Sequence, residues 1–251
     1  MGYEEKHFVG RERVVREIVQ GVLANPPTSF SLVGSKLSGK SKLLVFLASD
    51  EGPLIGDEYA AWRPYSYSDG SRVIPIRIDC SIPSARENFL AFLLAEVTSA
   101  LQREGALPAG RARDTQQEVS NTVALLALMR QVADADYRPV LLMDNFDRIF
   151  VALPHDTVNE LRPLTFHAAL IVASEQPLHD LDRSLAASPL FNVMTQVFIG
   201  LVETEVARRW VEEQLEVVPA LLPATDSLLE ITGNHPFLLR MIGDILVEVK
   251  E

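Results

Sequence analysis

Gly34-Ser35-Lys36-Leu37-Ser38-Gly39-Lys40-Ser41 fits the pattern GxxxxGK[ST]. It stands between Phe30-Ser31-Leu32-Val33, which reads as a buried strand, and Leu43, Leu44, Phe46 and Leu47, which recur as one face of a helix beginning near Gly39. Glycines at both ends let the backbone turn tightly and leave successive N–H groups pointing inward. The helix that follows adds its positive dipole end, so the main chain is built to hold anionic phosphates. Gly34, Ser35, Ser38, Gly39, Lys40, Ser41 and Lys42 are therefore the expected phosphate-binding stretch. Lys40 is expected to neutralise the β and γ phosphates of a nucleoside triphosphate, and the Ser41 hydroxyl to ligate Mg²⁺.

Working outward, strand and helix signals alternate. Arg72-Val73-Ile74-Pro75-Ile76-Arg77-Ile78-Asp79 predicts a second strand, and Pro75 predicts that it lies at a sheet edge. Ser84 with Glu87 predicts a capping box ahead of a helix whose apolar face runs Phe89, Leu90, Leu93, Leu94, Val97, Leu101. Thr115 with Glu118 predicts another helix, to about Ala135, and Thr157 with Glu160 a short one. Pro139 to Met143, Ala168 to Ala173 and Gln196 to Val202 read as strands. This alternation predicts an α/β fold, a mostly parallel sheet sandwiched by helices. From Glu203 on, three helical patterns follow, punctuated by Pro219, Pro223 and Gly233-Asn234-His235-Pro236. The expected organisation is a nucleotide-binding core over residues 1–202 and a small helical lid over residues 203–251.

The strand at Pro139 to Met143 ends in Asp144-Asn145-Phe146-Asp147, roughly a hundred residues after the loop. Asp144 is the carboxylate expected to hold Mg²⁺, directly or through water. Asn145 is a poor base, so Asp147 is the nearest acid able to orient an attacking water.

Composition narrows the alternatives. In 251 residues the single cysteine, Cys80, excludes an internal disulfide framework and a cysteine-based zinc site. Histidines 7, 155, 167, 179 and 235 lack ligand spacing, and no GxSxG or HExxH occurs. The longest apolar stretches fall far short of a membrane span and the N-terminus lacks a signal-peptide pattern, so the expectation is a cytoplasmic protein without a membrane partner. A net charge of −11 disfavours a broad nucleic-acid surface. The stretch from Glu51 to Gly70 carries Tyr59, Trp62, Tyr65 and Tyr67, which either fold back over the core or anchor a partner.

Phe8-Val9-Gly10-Arg11-Glu12, the run Asp144-Asn145-Phe146-Asp147-Arg148-Ile149-Phe150 and Gly233-Asn234-His235-Pro236-Phe237-Leu238-Leu239 together resemble the nucleotide-binding domain of STAND-type NTPases, within the AAA+-related ATPases. The likeness is to bacterial and archaeal STAND-like proteins whose second acidic motif reads D-Q-F-E-E-L-F, and it covers nearly the whole chain. It implies an ASCE/AAA+-like P-loop NTPase core with ATP or ADP and Mg²⁺ as ligands. It also implies nucleotide contacts from Val9, Gly10 and Arg11 near the adenine and from Pro236 on the lid, and it places the second acid on Asp147. Where many relatives carry Thr or Ser and a γ-phosphate-sensing arginine, this chain has Ala173-Ser174-Glu175, and Arg183, Arg208, Arg209 and Arg240 are the candidates for that charge.

The resemblance implies an ATP-binding switch domain with slow Mg²⁺-dependent hydrolysis in a signalling or defence-type assembly, with a protein partner or self-association. The family usually joins this domain to sensor repeats or an effector, so the chain reads as a stand-alone ATPase, a subunit or a fragment. The alternatives are a DNA-handling AAA+ ATPase of initiator or transposition-loader type, against which the acidic charge counts, and a catalytically inactive nucleotide-binding scaffold.

Overall fold

The computed structural model describes residues 10–67, 70–108, 120–182, 188–216 and 218–250. Val9, Thr115, Glu118 and Arg183 lie outside the described residues. Strands β1 (Ser29–Val33), β2 (Arg72–Asp79), β3 (Tyr137–Asp144), β4 (Ala169–Ser174) and β5 (Met194–Phe198) form a parallel sheet in the order β2-β3-β4-β1-β5. Among the described residues β2 pairs only with β3, so Pro75, which has no N–H to give, sits at the sheet edge. β1 lies between β4 and β5, and the chain crosses it to pass from one to the other. In open parallel sheets such a switch in order leaves a crevice at the carboxyl ends of the strands.

The pleat divides the core into two layers. Ile74, Ile76 and Ile78, with Leu141, Met143, Leu170 and Val172, face α4 (Phe89–Arg103) and α5 (Asn121–Asp134). The alternate residues Val73, Val140, Leu142, Ala169 and Ile171, with Phe30 and Leu32, face α1 (Glu12–Val22) and α2 (Lys40–Ala48). Burying each such side chain contributes about 1.5–3 kcal/mol before entropy is charged, so the sheet is fixed from both faces.

Short helices α3 (Pro83–Glu87), α6 (Asp147–Phe150), α7 (His155–Glu160) and α8 (Leu178–Leu181) connect these layers. After β5 come α9 (Thr204–Leu215), α10 (Thr225–Thr232) and α11 (Pro236–Lys250), which bury a third cluster of their own: Val202, Ala207, Val211, Leu215, Leu229 and Leu239.

Several local boundaries differ from the sequence expectation. Ser84 lies inside α3, and the long helix α4 starts after Asn88, whose side chain accepts the Ala91 N–H at 3.1 Å. The extended backbone at Asn88 (φ −152°, ψ 89°) breaks the chain there and supplies a better cap than the box. Replacing Asn88 with Ala is expected to cost about 1 kcal/mol, measured by denaturant unfolding. Thr157 likewise falls within α7, while Glu160 accepts a hydrogen bond from the Thr122 hydroxyl instead of closing a capping box. The described start of α5 is capped by Ser120, which accepts from the Val123 N–H at 3.3 Å. β5 spans 194–198 instead of 196–202 because its partner β1 ends at Val33, opposite Phe198. Once β1 turns into the glycine loop there is no ladder left to extend.

The aromatic stretch before β2 folds back. Tyr59, Trp62 and Tyr67 are part-buried against the α1/α2 layer, with Tyr59 set edge-on to Phe46 at 5.9 Å and to Trp62 at 4.8 Å. The Arg138 guanidinium stands 5.3 Å from the Tyr67 ring centre, and Tyr65 alone of the four is fully exposed.

Candidate functional site

The loop from Gly34 to Gly39 leaves the carboxyl end of β1 and delivers the chain into α2, at the crevice the strand order creates. Its backbone uses left-handed conformations at Leu37 (φ 61°) and at Gly39 (φ 98°). Gly39 adopts this at no steric cost, whereas Leu37, exposed to solvent, carries the penalty of its Cβ. Gly34 is required for a different reason. Its N–H donates to the Ser174 carbonyl at 3.2 Å, and a Cβ there would run into the Ile199 carbonyl oxygen and stand 2.7 Å from Ser38 Oγ. Backbone cannot yield as a side chain can, so Gly34→Ala is expected to destabilise the fold by about 2 kcal/mol, read as a lowered thermal midpoint.

The Lys40 ammonium donates to the Gly34 carbonyl at 2.6 Å and to the Ser35 carbonyl at 2.9 Å, spanning the mouth of the loop. Burial lowers its pKa, while Glu175, Asp147 and Asp144, in that order, pull it back up. Three carboxylates, at or just beyond the carboxyl ends of β3 and β4, thus act on the loop lysine through their charge. Asp144 Oδ1 accepts the Asn145 N–H at 2.9 Å, and Asp147 Oδ2 accepts the Glu175 N–H at 3.3 Å. Glu175 also lies 4.0 Å from Arg148. Ser174 is fully buried and its hydroxyl donates to the Gln176 carbonyl at 2.7 Å, closing a local turn.

Sequence reasoning missed Asp79. The parallel register sets it beside Asp144, and its Oδ1 accepts from Asn145 Nδ2 at 3.2 Å and from the Ser81 N–H at 2.9 Å. Burial would raise its pKa, but the hydrogen bonds from Ser81 and Asn145 and the charge of Arg77 outweigh that and hold it below the usual carboxylate range. The signal was an acid ending a neighbouring strand, which becomes informative only with the strand order. Cys80, next to it, is buried; desolvation first, then Asp79, Asp144 and Asp147, push its thiol pKa up, so it is no nucleophile.

A cleft of about 510 Å³ opens from the loop toward the C-terminal helices. Its floor is Gly39, Lys40, Ser41 and Lys42, and Pro236 lies on the opposite wall with Trp210, Phe237 and Arg240. Arg11 also lines it, although its guanidinium is engaged with main chain: Nη1 donates to the Ser38 carbonyl at 2.7 Å and Nη2 to the Gly200 carbonyl. Burial lowers the Arg11 pKa. Gly10 packs beneath, where a Cβ would stand 3.1 Å from Val202 and 3.4 Å from Val206. Of the arginines considered as phosphate sensors, Arg208 pairs with Asp226 at 2.6 Å on the helix surface, whereas Arg240 faces the cleft with Asp244 3.7 Å away. A second cavity, about 220 Å³, lies at the amino ends of the strands near Tyr137, Arg138 and His167 and touches none of these groups.

The donors suit a hydrated divalent cation bound with phosphate. Among the described residues no three His, Cys, Asp or Glu side chains are grouped to hold a metal by themselves. Ser41 and Asp144 offer hard oxygens, which is the partial set that Mg²⁺ takes when phosphates complete its shell. Ser38 Oγ, 1% exposed, has no hydrogen-bond partner among the described residues, an orphaned polar atom inside the loop.

No family model matches the chain, and no curated protein matches it. Solved structures do match. A Walker-type ATPase of Pyrococcus abyssi superimposes with a TM-score of 0.58 at 14% identity over 92% of this chain and 66% of that one. The Aeropyrum pernix ORC2 protein, solved with ADPNP and ADP, gives 0.56 at 13% identity over 84% and 54%. The Aeropyrum pernix ORC1 protein, solved in complex with DNA, gives 0.55 at 16% identity over 98% and 62%. The chain spans between 54% and 66% of the length of these structures. It has the α/β fold of the P-loop NTPases. At this identity the likeness establishes the fold and carries the STAND resemblance no further. The expectation against nucleic acid draws no support from these neighbours, one of which holds DNA. No helix among the described residues is long and apolar enough to cross a membrane.

Proposed function

We propose that the chain binds ATP in the cleft between the glycine loop and the C-terminal helices and acts as a nucleotide-dependent switch with slow, Mg²⁺-dependent hydrolysis. The observation that carries this reading is that one cleft joins the phosphate loop to an apolar wall from α9 and α11. The loop amides and the α2 dipole hold the phosphates, and Lys40 leaves its loop carbonyls for the β and γ groups. Ser41 and Asp144 would hold Mg²⁺, which when bound would offset the charge of the phosphates. Trp210, Phe237 and Pro236 offer apolar surface to the base, and Arg240 is the cation positioned to reach the phosphates from the helical side. Asp147 is the acid for orienting water. Asn145 in place of an acid keeps turnover low, since an amide cannot take a proton.

In this reading residues 1–202 are the core and residues 203–251 the lid, which the triphosphate fixes against the core and product release frees. Two kinds of assembly compete for such a switch. The STAND-like motifs favour a signalling or defence-type complex, in the cytoplasm. The fold likeness to the ORC proteins favours DNA handling at least as well. The deciding experiment measures solution mass with ADP and with ATP, and ATP turnover with and without duplex DNA across a salt series. A mass increase with ATP and no response to DNA supports the first reading. DNA-stimulated turnover that falls steeply with salt supports the second. Absence of any nucleotide binding removes both.

A further inference from the structure

We propose that Arg11 is a positioning residue that ties the phosphate loop to the base of the lid, so that seating of the triphosphate is felt by the C-terminal helices. The inference rests on the ATP-binding reading above and deepens it.

The backbone sets Arg11 up for this. Gly10 (φ 79°) and Arg11 (φ 67°) are consecutive left-handed residues, and they turn the chain at the start of α1. A non-glycine residue in that conformation carries strain that the surroundings must offset. The offset here is the guanidinium of a residue only 7% exposed, held between two main-chain carbonyls 162 residues apart in sequence, Ser38 and Gly200.

Each contact has a mechanical meaning. Ser38 and Gly39 share a planar peptide, so fixing the Ser38 carbonyl on one side fixes the Gly39 N–H on the other. That N–H is one of the loop's phosphate donors. The fit is close, because a Cβ on Gly39 would stand 3.1 Å from Arg11 Nη1. At the other end, Gly200 belongs to the link between β5 and α9. Two residues on, the Val202 N–H donates to the Asn234 carbonyl at 2.9 Å, in the turn that leads into Pro236 and α11. Gly10 closes the arrangement by packing on Val202 and Val206. The path from loop to lid is therefore Ser38, Arg11, Gly200, Val202, Asn234, and each step after the first peptide is a hydrogen bond or two residues of chain.

The planar fork holds two donors at a fixed separation, one for each carbonyl. Lysine keeps the charge but presents a point donor on a flexible stem, so Arg11→Lys separates charge from coupling. Wild type and Arg11→Lys are compared with MgATP as the probe, by calorimetry and by hydrogen exchange of the α9 amides. Wild type is expected to bind and to slow exchange in α9 on binding. The variant is expected to bind about tenfold more weakly and, at saturating MgATP, to show no slowing in α9. A variant that slows α9 exchange as wild type does overturns the proposal, whatever its thermal midpoint. Should the variant fail to fold, ¹⁵N-arginine spectra of the wild type decide. Arg11 is expected to show distinct, slowly exchanging Nη signals that shift with MgATP, and averaged, unresponsive signals overturn the inference. Wild type that does not bind MgATP removes the ATP-binding reading and this one together, whereas a wild type that binds and slows with an equally responsive variant removes only this one.

Discussion

Lys40→Ala is expected to weaken MgATP binding by about 100-fold, the equivalent of roughly 3 kcal/mol. The size follows from the company the lysine keeps. Its ammonium already reaches across the loop to the Gly34 and Ser35 carbonyls, so it stands over the space the phosphates must enter. Asp144, Asp147 and Glu175 bear on the same space, and without Lys40 an incoming triphosphate meets three carboxylates opposed only by backbone dipoles and the added metal. Lys36 lies within the loop and Lys42 just after it, but among the described residues Lys40 is the lysine that donates to the loop carbonyls, so neither substitutes in place. The fold itself should tolerate the change, because the loop keeps its Gly34 to Ser174 and Ser38 to Ser35 backbone bonds. Calorimetric titration of wild type and variant, with unfolding curves for both, checks this. An affinity within about threefold of wild type in a folded variant removes the nucleotide site altogether.

The fold was legible because its signals are local. A strand of five buried residues, a glycine loop and an apolar helix face identify the first βα unit without reference to anything distant, and Pro75 declares an edge by lacking a donor. What escaped was decided by tertiary context. The serine and threonine boxes at 84 and 157 satisfy the capping pattern, yet Asn88, with its extended backbone, begins the helix that counts, and Glu160 turns to Thr122 in another helix. The end of β5 depends on where β1 stops, which no property of residues 199 to 202 encodes.

The site divides along the same line. Lys40, Asp144, Asp147 and Pro236 could be named from motifs, and the structure brings the first three together and puts Pro236 on the facing wall. Asp79, Trp210 and Phe237 could not, because their roles come from strand order and from the way α9 and α11 lie over the loop. Arg11 is an intermediate case. Its motif marked it as a residue near the nucleotide, while its geometry gives it to two carbonyls and so to the scaffold that shapes the pocket.

Asp144→Asn is expected to lower ATP turnover by about 100-fold or more, and its effect on ATP affinity is expected to change sign with Mg²⁺. The substitution is nearly isosteric, and asparagine Oδ1 can still accept the Asn145 N–H that Asp144 accepts at 2.9 Å, so the end of β3 should hold its shape. What changes is charge. With Mg²⁺ present the variant loses an anionic oxygen ligand, and both affinity for the metal complex and stabilisation of the transferring phosphoryl group fall. With the metal chelated the sign reverses: the wild-type carboxylate repels the triphosphate from beside Lys40, the amide does not, and metal-free ATP should bind the variant more tightly. A residue that merely supports the strand would weaken binding in both conditions alike. Asp147→Asn provides the contrast, since an acid that orients water should depress turnover and leave the Mg²⁺ dependence of binding as in wild type. Titrations with and without chelator, alongside turnover at saturating ATP, separate these outcomes. If Mg²⁺ strengthens ATP binding as much in Asp144→Asn as in wild type, the metal is held elsewhere and the assignment of Asp144 fails.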